Sequence, residues 1–192
     1  MAIKKIMQIC LFVFLIGISA TVLFAQNDSG GWPTTLQHSG DAIQIGLPAG
    51  ALVYVLLDKD KEGLKEFAYA FGANMIATHT LKHFIHKKRP GNSNAYNAMP
   101  SGHTSASFQA ATFLYIRKGP KFGIPAYILA SYVGYSRIKG VDKRHDYLDV
   151  LGGAILGSLT SYIFTTSKDS PVKVIPAINN NSVSLSFHFN FK

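Results

Sequence analysis

The sequence predicts an all-α protein: a compact helical bundle ending in a short β-like tail. Three observations lead there. Apolar residues make up 47% of the 192-residue chain and charged residues only 15%, a balance low in charge for a water-soluble domain and suggestive of membrane contact. Apolar segments of helical length recur at short intervals between residues 42 and 166. The last stretch, "SVSLSFHFNFK" (Ser182–Lys192), instead alternates Val, Leu and Phe with polar residues, the period of a half-buried strand.

From the N-terminus, Lys4 and Lys5 precede an apolar run from Ile6 to Phe24, and Ala25 offers a small residue for cleavage. Residues 1–25 therefore read as a signal peptide or as a retained membrane anchor, the run being long enough for either. Cys10 is the chain's only cysteine and lies inside this run, so a cleaved product is held together by packing without disulfides. Residues 26–41, polar and glycine-bearing, read as a connector. Helices are expected at Ala42–Leu57, Leu64–Leu81, His103–Ile116, Phe122–Ser136 and Asp149–Thr165, forming one domain over 42–166. In "LGGAILGSL", Gly153 and Gly157 have small-xxx-small spacing, which suits close helix contact in a membrane or in a soluble helical core. Residues 167–192 form the tail, set off by Pro171, Pro176 and three asparagines. His188 there reads as a polar-face residue.

A net charge of +9 points to an anionic partner, either phosphate-bearing or a lipid surface. No arginine-rich run interleaved with aromatics supports nucleic acid. Much of the charge sits in "LKHFIHKKRP" (Leu81–Pro90), beside "NAMPSGHTSAS" (Asn97–Ser107). In the latter, Ser101 is a natural N-cap, and the first-turn N–H groups that follow make a ready anion site. In "YSRIKGVDKRHDYLDV", His145 and Asp149 are spaced i, i+4, so on a helical turn they share a face. A carboxylate there can accept the imidazole N–H and leave the other ring nitrogen free to attack. Lys87 and Lys88 read as helix-end anchors at lipid headgroups, and His79, His83 and His86 as surface residues.

Together these three blocks resemble the phosphatidic acid phosphatase type 2 superfamily, whose signature is K-x6-RP, PSGH and SR-x5-H-x3-D. Lys82, Arg89-Pro90 and Pro100-Ser101-Gly102-His103 match as written, and so does the His145-x3-Asp149 half. The third block departs in one respect: seven residues, "IKGVDKR", separate Arg137 from His145. The resemblance implies a phosphatase of lipid or isoprenoid phosphates working through a phosphohistidine. His145 would be the nucleophile, Asp149 its partner and His103 the general acid. Lys82, Arg89, Arg137, Ser101 and Gly102 would bind the phosphate, with no metal or other cofactor. If the lengthened loop displaces Arg137, Arg144 is the substitute cation; the regular helix end at Ser136-Arg137 favours Arg137.

The same constellation is similar to that of vanadium-dependent haloperoxidases, which are larger and less hydrophobic chains, and a non-catalytic membrane module could keep the fold. The expected partners are a phosphorylated lipid or isoprenoid and a membrane, and the expected location is the bacterial cell envelope with the site on the periplasmic side. Neither the particular lipid nor the oligomeric state is legible in the sequence.

Overall fold

Helix α1 (Trp32–Leu57) starts at Trp32 rather than at Ala42, so most of the expected connector is helical. Pro33 suits the first turn, where a missing N–H has no intrahelical role. Apolar periodicity fails over this turn because the inward-facing residues include Gln37 and Gly40. The computed structural model describes residues 31–90, 93–168, 172–179 and 182–189, and the expected signal or anchor segment lies outside them.

The remaining helices follow the sequence reading more closely. Asp60 caps α2 (Lys61–Ile85) by accepting the Gly63 N–H at 2.9 Å, and His86 ends it in the left-handed region (φ 47°, ψ 41°). Helix α3 (Gly102–Lys118) gives way at Gly119 to α4 (Pro120–Lys139). Helix α5 (Tyr147–Phe164) opens with a capping box in which Asp146 accepts the Asp149 N–H and Asp149 accepts the Asp146 N–H. The tail is a hairpin: β1 (Val172–Asn179) runs antiparallel to β2 (Ser182–Phe189), with Val172 opposite Phe189 and Asn179 opposite Ser182. The alternation in 182–192 thus marked one strand of two. Pro176 in β1 obscured the other, a residue tolerated where a strand has a free edge.

Helix α3 is the centre, and each of the other four helices among the described residues packs on it. At one end of the bundle its core is apolar, with Phe113, Ala110, Ala111 and Leu114 meeting Val55, Phe67, Ala126 and Ala130. Beyond this core, buried Arg117 forks onto Asp60 (Nη2–Oδ1 2.6 Å, Nε–Oδ2 2.8 Å) and donates to the Thr166 carbonyl, so the ends of α3 and α5 meet the start of α2. Through the middle and toward the other end the interior carries hydrogen-bonded polar groups, while Asn74 Nδ2, Ser107 Oγ and Gln109 Oε1 are buried without a partner among the described residues. Thr78 and Ser105 share a 2.9 Å bond, Ser105 donates to Asn74, and Ser161 donates to the Gln109 carbonyl. Such bonds suit helices that associate without a strong hydrophobic drive.

Gly157 lets α5 approach α3 closely, since a Cβ there would lie 2.1 Å from the Ser105 carbonyl oxygen. The outer surface is apolar: Ile45, Val53, Ile76, Ile128, Leu151, Ile155 and Leu159 are all exposed. Large apolar side chains exposed in such number are unusual on a soluble monomer. α1 and α5 are long and apolar enough to cross a bilayer, α1 reaching about 39 Å at 1.5 Å per residue. These features describe a lipid-facing bundle.

Candidate active site

The end of the bundle opposite Arg117 gathers the C-terminal turns of α2 and α4, the N-terminal turns of α3 and α5, and the first half of α1. A backbone bond fixes part of this arrangement: the Ser101 N–H donates to the Asp149 carbonyl at 2.8 Å, tying the start of α3 to the start of α5. All the residues expected from sequence lie at this end, in two adjoining groups.

The first group surrounds His145, which immediately precedes the Asp146 cap of α5 and is 5% exposed. Its Nδ1 lies 3.5 Å from Asp149 Oδ2, an ion-pair distance, and forms no hydrogen bond among the described residues. The expected imidazole–carboxylate hydrogen bond is therefore open here. One reason is visible at Asp149 itself: Oδ2 accepts the Asp146 N–H of the capping box, and Oδ1 accepts Lys87 Nζ at 2.8 Å. The carboxylate is held by α5 and by Lys87 rather than by the imidazole. Burial pushes the His145 pKa down, and the positive charges of Lys82 and Arg89 add to that against the pull of Asp149. His145 is thus a neutral imidazole at pH 7, the form with a free lone pair.

Lys82 and Arg89 meet on one residue, since Lys82 Nζ donates to the Asn97 carbonyl at 2.6 Å and Arg89 Nε donates to Asn97 Oδ1 at 2.8 Å. They are brought together by the loop rather than by one helix face. The helix stops at Ile85, and the Arg89 N–H is bonded to the Ala95 carbonyl. Lys82 Cε also lies 3.9 Å from where a Cβ on Gly102 would be, which sets the ammonium beside the PSGH turn.

The second group surrounds Arg137, almost fully buried in the last turn of α4. Its Nη1 contacts Asp41 Oδ1 at 2.7 Å, and Nη2 donates to the Gln37 carbonyl at 2.8 Å. Asp41 Oδ1 also lies 3.0 Å from His103 Nε2. Ser101 takes the N-cap position of α3, but its hydroxyl does not cap; fully buried, it accepts a 3.0 Å bond from Thr104. Gly102 and His103 form the half-exposed first turn, whose N–H groups lack intrahelical acceptors. Arg144 is exposed and paired with Asp142, which in turn accepts a bond from the Gln37 amide. The two-residue excess of the third block sits in this exposed turn, while Arg137 stays on its helix.

Sequence reasoning missed three contributors. Lys87 was read as a headgroup anchor, yet it binds both Asp146 and Asp149. Asn97 gave no sign beyond its place ahead of PSGH. Asp41 was the last residue of the expected connector, where polarity signalled a linker.

A lipid-facing helical bundle that holds a histidine–aspartate pair among fixed cations defines a class, the membrane-associated phosphatases. Within that class the chain belongs to the PAP2 superfamily, whose family model matches residues 63–170. Over 142 residues it is 32% identical to the lipid A 4'-phosphatase of Helicobacter pylori, covering 68% of this chain and 70% of that protein. It is 40% identical over 81 residues to the lipid A 1-phosphatase of Porphyromonas gingivalis, 41% of this chain but only 18% of that longer relative. The crystal structure of Aquifex aeolicus LpxE shares the fold at a TM-score of 0.59 and 21% identity, covering 76% of this chain and 92% of that one.

Proposed function

We propose that the chain removes a phosphate from a phosphorylated lipid, of the lipid A class, through a phosphohistidine formed on His145 and without a metal ion. The observation that carries this reading is the neutral, buried His145 with Asp149 at its Nδ1 and the Lys82–Arg89 pair close enough to depress its pKa. Both curated relatives are named as lipid A phosphatases, which supports the substrate class.

In this mechanism the Nε2 lone pair of His145 attacks phosphorus while Lys82, Arg89, Arg137 and the first-turn N–H groups of Gly102 and His103, backed by Ser101, hold the phosphoryl oxygens. As the N–P bond forms, the bond to the lipid oxygen breaks and His103 gives that oxygen a proton. His103 then takes a proton from water, the water oxygen attacks phosphorus, and the P–N bond breaks to release inorganic phosphate. Asp149 stabilises the charge that builds on the His145 ring, its contact tightening when the phosphate binds. The site end of the bundle faces the periplasm in this reading.

The test is a panel of lipid A, phosphatidate, phosphatidylglycerophosphate and isoprenoid diphosphate, assayed for phosphate release by purified protein and by His145→Ala. Release from lipid A that His145→Ala abolishes, with an acid-labile and base-stable phosphoenzyme, is expected. Release that survives His145→Ala overturns the mechanism, and preference for another lipid overturns the substrate class. For orientation, a cysteine placed at exposed Asn94 should react with an impermeant reagent in intact spheroplasts; labelling only after lysis refutes a periplasmic site.

A further inference from the structure

We infer that Asp41, on α1, is a positioning residue for the general acid His103, a role that rests on the catalytic reading above. Asp41 lies outside the three motif blocks and outside the residues the family model matches. Its Oδ1 is within 3.0 Å of His103 Nε2 and 2.7 Å of Arg137 Nη1. One carboxylate oxygen thus joins a proton-transfer group to a phosphate-binding cation.

The chemistry follows from which ring nitrogen is engaged. With Nε2–H donated to Asp41, Nδ1 is the nitrogen that carries the transferable proton to the lipid oxygen. The carboxylate fixes the ring plane and stabilises the imidazolium, which gives its proton to the lipid oxygen and forms again when the neutral ring takes a proton from water. Arg137 fixes the carboxylate in turn, and the guanidinium is itself held at Nη2 by the Gln37 carbonyl one helical turn before Asp41. The anchor is rigid because both of its ends lie on α1. Asp41 balances the charge of the Arg137–His103 side, as Asp149 does on the His145 side.

A general acid matters in proportion to how poor the leaving group is, so leaving-group dependence separates this role from a structural one. The assay compares kcat of wild type, Asp41→Asn, His103→Ala and His145→Ala on an alkyl phosphate and on p-nitrophenyl phosphate. Aryl phosphate hydrolysis by wild type that His145→Ala abolishes supports the catalytic reading independently of Asp41. Asp41→Asn is then expected to lose roughly a hundredfold on the alkyl ester and about threefold on the aryl ester, in the same direction as His103→Ala. Equal losses on both esters, as misfolding or an effect through Arg137 alone would give, overturn the proposal, and so does no loss. A second measurement needs no turnover: two-bond 15N–1H correlation of the His103 ring, assigned by its disappearance in His103→Ala. Wild type should show the neutral ring protonated at Nε2, and Asp41→Asn a mixture of tautomers. A wild-type ring protonated at Nδ1 refutes the contact even if the enzyme is inert on every ester.

Discussion

Substitution of Gly157 by alanine tests how α5 meets α3. An ideal Cβ there would lie 2.1 Å from the Ser105 carbonyl oxygen, 2.8 Å from Gln109 N and 3.0 Å from the Ser105 carbonyl carbon. All three are backbone atoms of α3, so no rotamer change relieves the clash. Restoring ordinary contact requires the helices to part by roughly 1 Å, which loosens dispersion contacts along the whole seam. Overpacking costs about 1–3 kcal/mol, and a clash with backbone belongs at the upper end. Alanine's better helix propensity returns about 1 kcal/mol, leaving a net loss of about 2 kcal/mol. Gly46→Ala is the matched control, because a Cβ there meets nothing within 4 Å and keeps the propensity gain. For a domain of this size 1 kcal/mol corresponds to about 2–4 °C. Thermal unfolding in detergent should therefore show Gly157→Ala about 4–8 °C below wild type and Gly46→Ala level with or above it. A Gly157→Ala protein as stable as wild type would refute the close approach.

Three other outcomes are expected. Arg137→Ala should lower kcat about a hundredfold, the loss of one transition-state cation at roughly 3 kcal/mol, while exposed Arg144→Ala costs less than tenfold; the reverse order in steady-state kinetics would show that the lengthened loop supplies the cation. His145 must attack unprotonated, and its pKa is lowered from the ordinary 6.5 by burial first, with Lys82 and Arg89 adding to it. Removing a positive charge lets that pKa rise, so Arg89→Ala should move the acid limb of kcat/KM to higher pH; comparing both proteins on one substrate cancels the substrate's own titration, and a limb that stays or moves down contradicts the assignment. Phosphate release should survive EDTA, since lysine and arginine provide the charge a metal would bring, and activity lost to chelation and restored by a divalent ion would overturn that.

The helical bundle was legible because apolar segments of helical length recur along the chain. The starts expected at Phe122 and Asp149 nevertheless fall two residues inside α4 and α5, whose opening Pro120 and Asp146 cap were not read. The candidate site residues came from a different source, the match of three blocks in order to the K-x6-RP, PSGH and H-x3-D signature of a known family. Geometry between blocks was not legible. Spacing placed His145 and Asp149 on one helical face, but His145 precedes the cap and Asp149 is engaged by the capping box and by Lys87. Lys82 and Arg89 are seven positions apart in sequence, but the chain leaves the helix after Ile85 and a loop asparagine brings the two cations together. In both cases the side chains arrive where needed by a route that only tertiary contacts specify.

Helix α1 shows why the remainder was hidden. Sequence reading takes a glycine-bearing polar stretch for a linker because a linker has no partner to satisfy its polar groups. The same composition arises when the partner is a polar site. Gln37 is 7% exposed, and its carbonyl and amide are spent on Arg137 and Asp142. Gly40 is not a flexible joint: a Cβ there would lie 2.0 Å from Ser136 Oγ and 3.0 Å from Arg137 Nη2. The missing side chain lets α1 lie against the end of α4 and carries Asp41 to within reach of both Arg137 and His103. In a lipid-facing bundle apolar residues lie outside as well as in the core, so near a polar site polarity is a better marker of the inward face than apolar periodicity. Read that way, Gln37, Gly40 and Asp41, spaced three and four residues apart, are a helix stripe aimed at buried charge, and Asp41 is where a search for the partner of Arg137 begins.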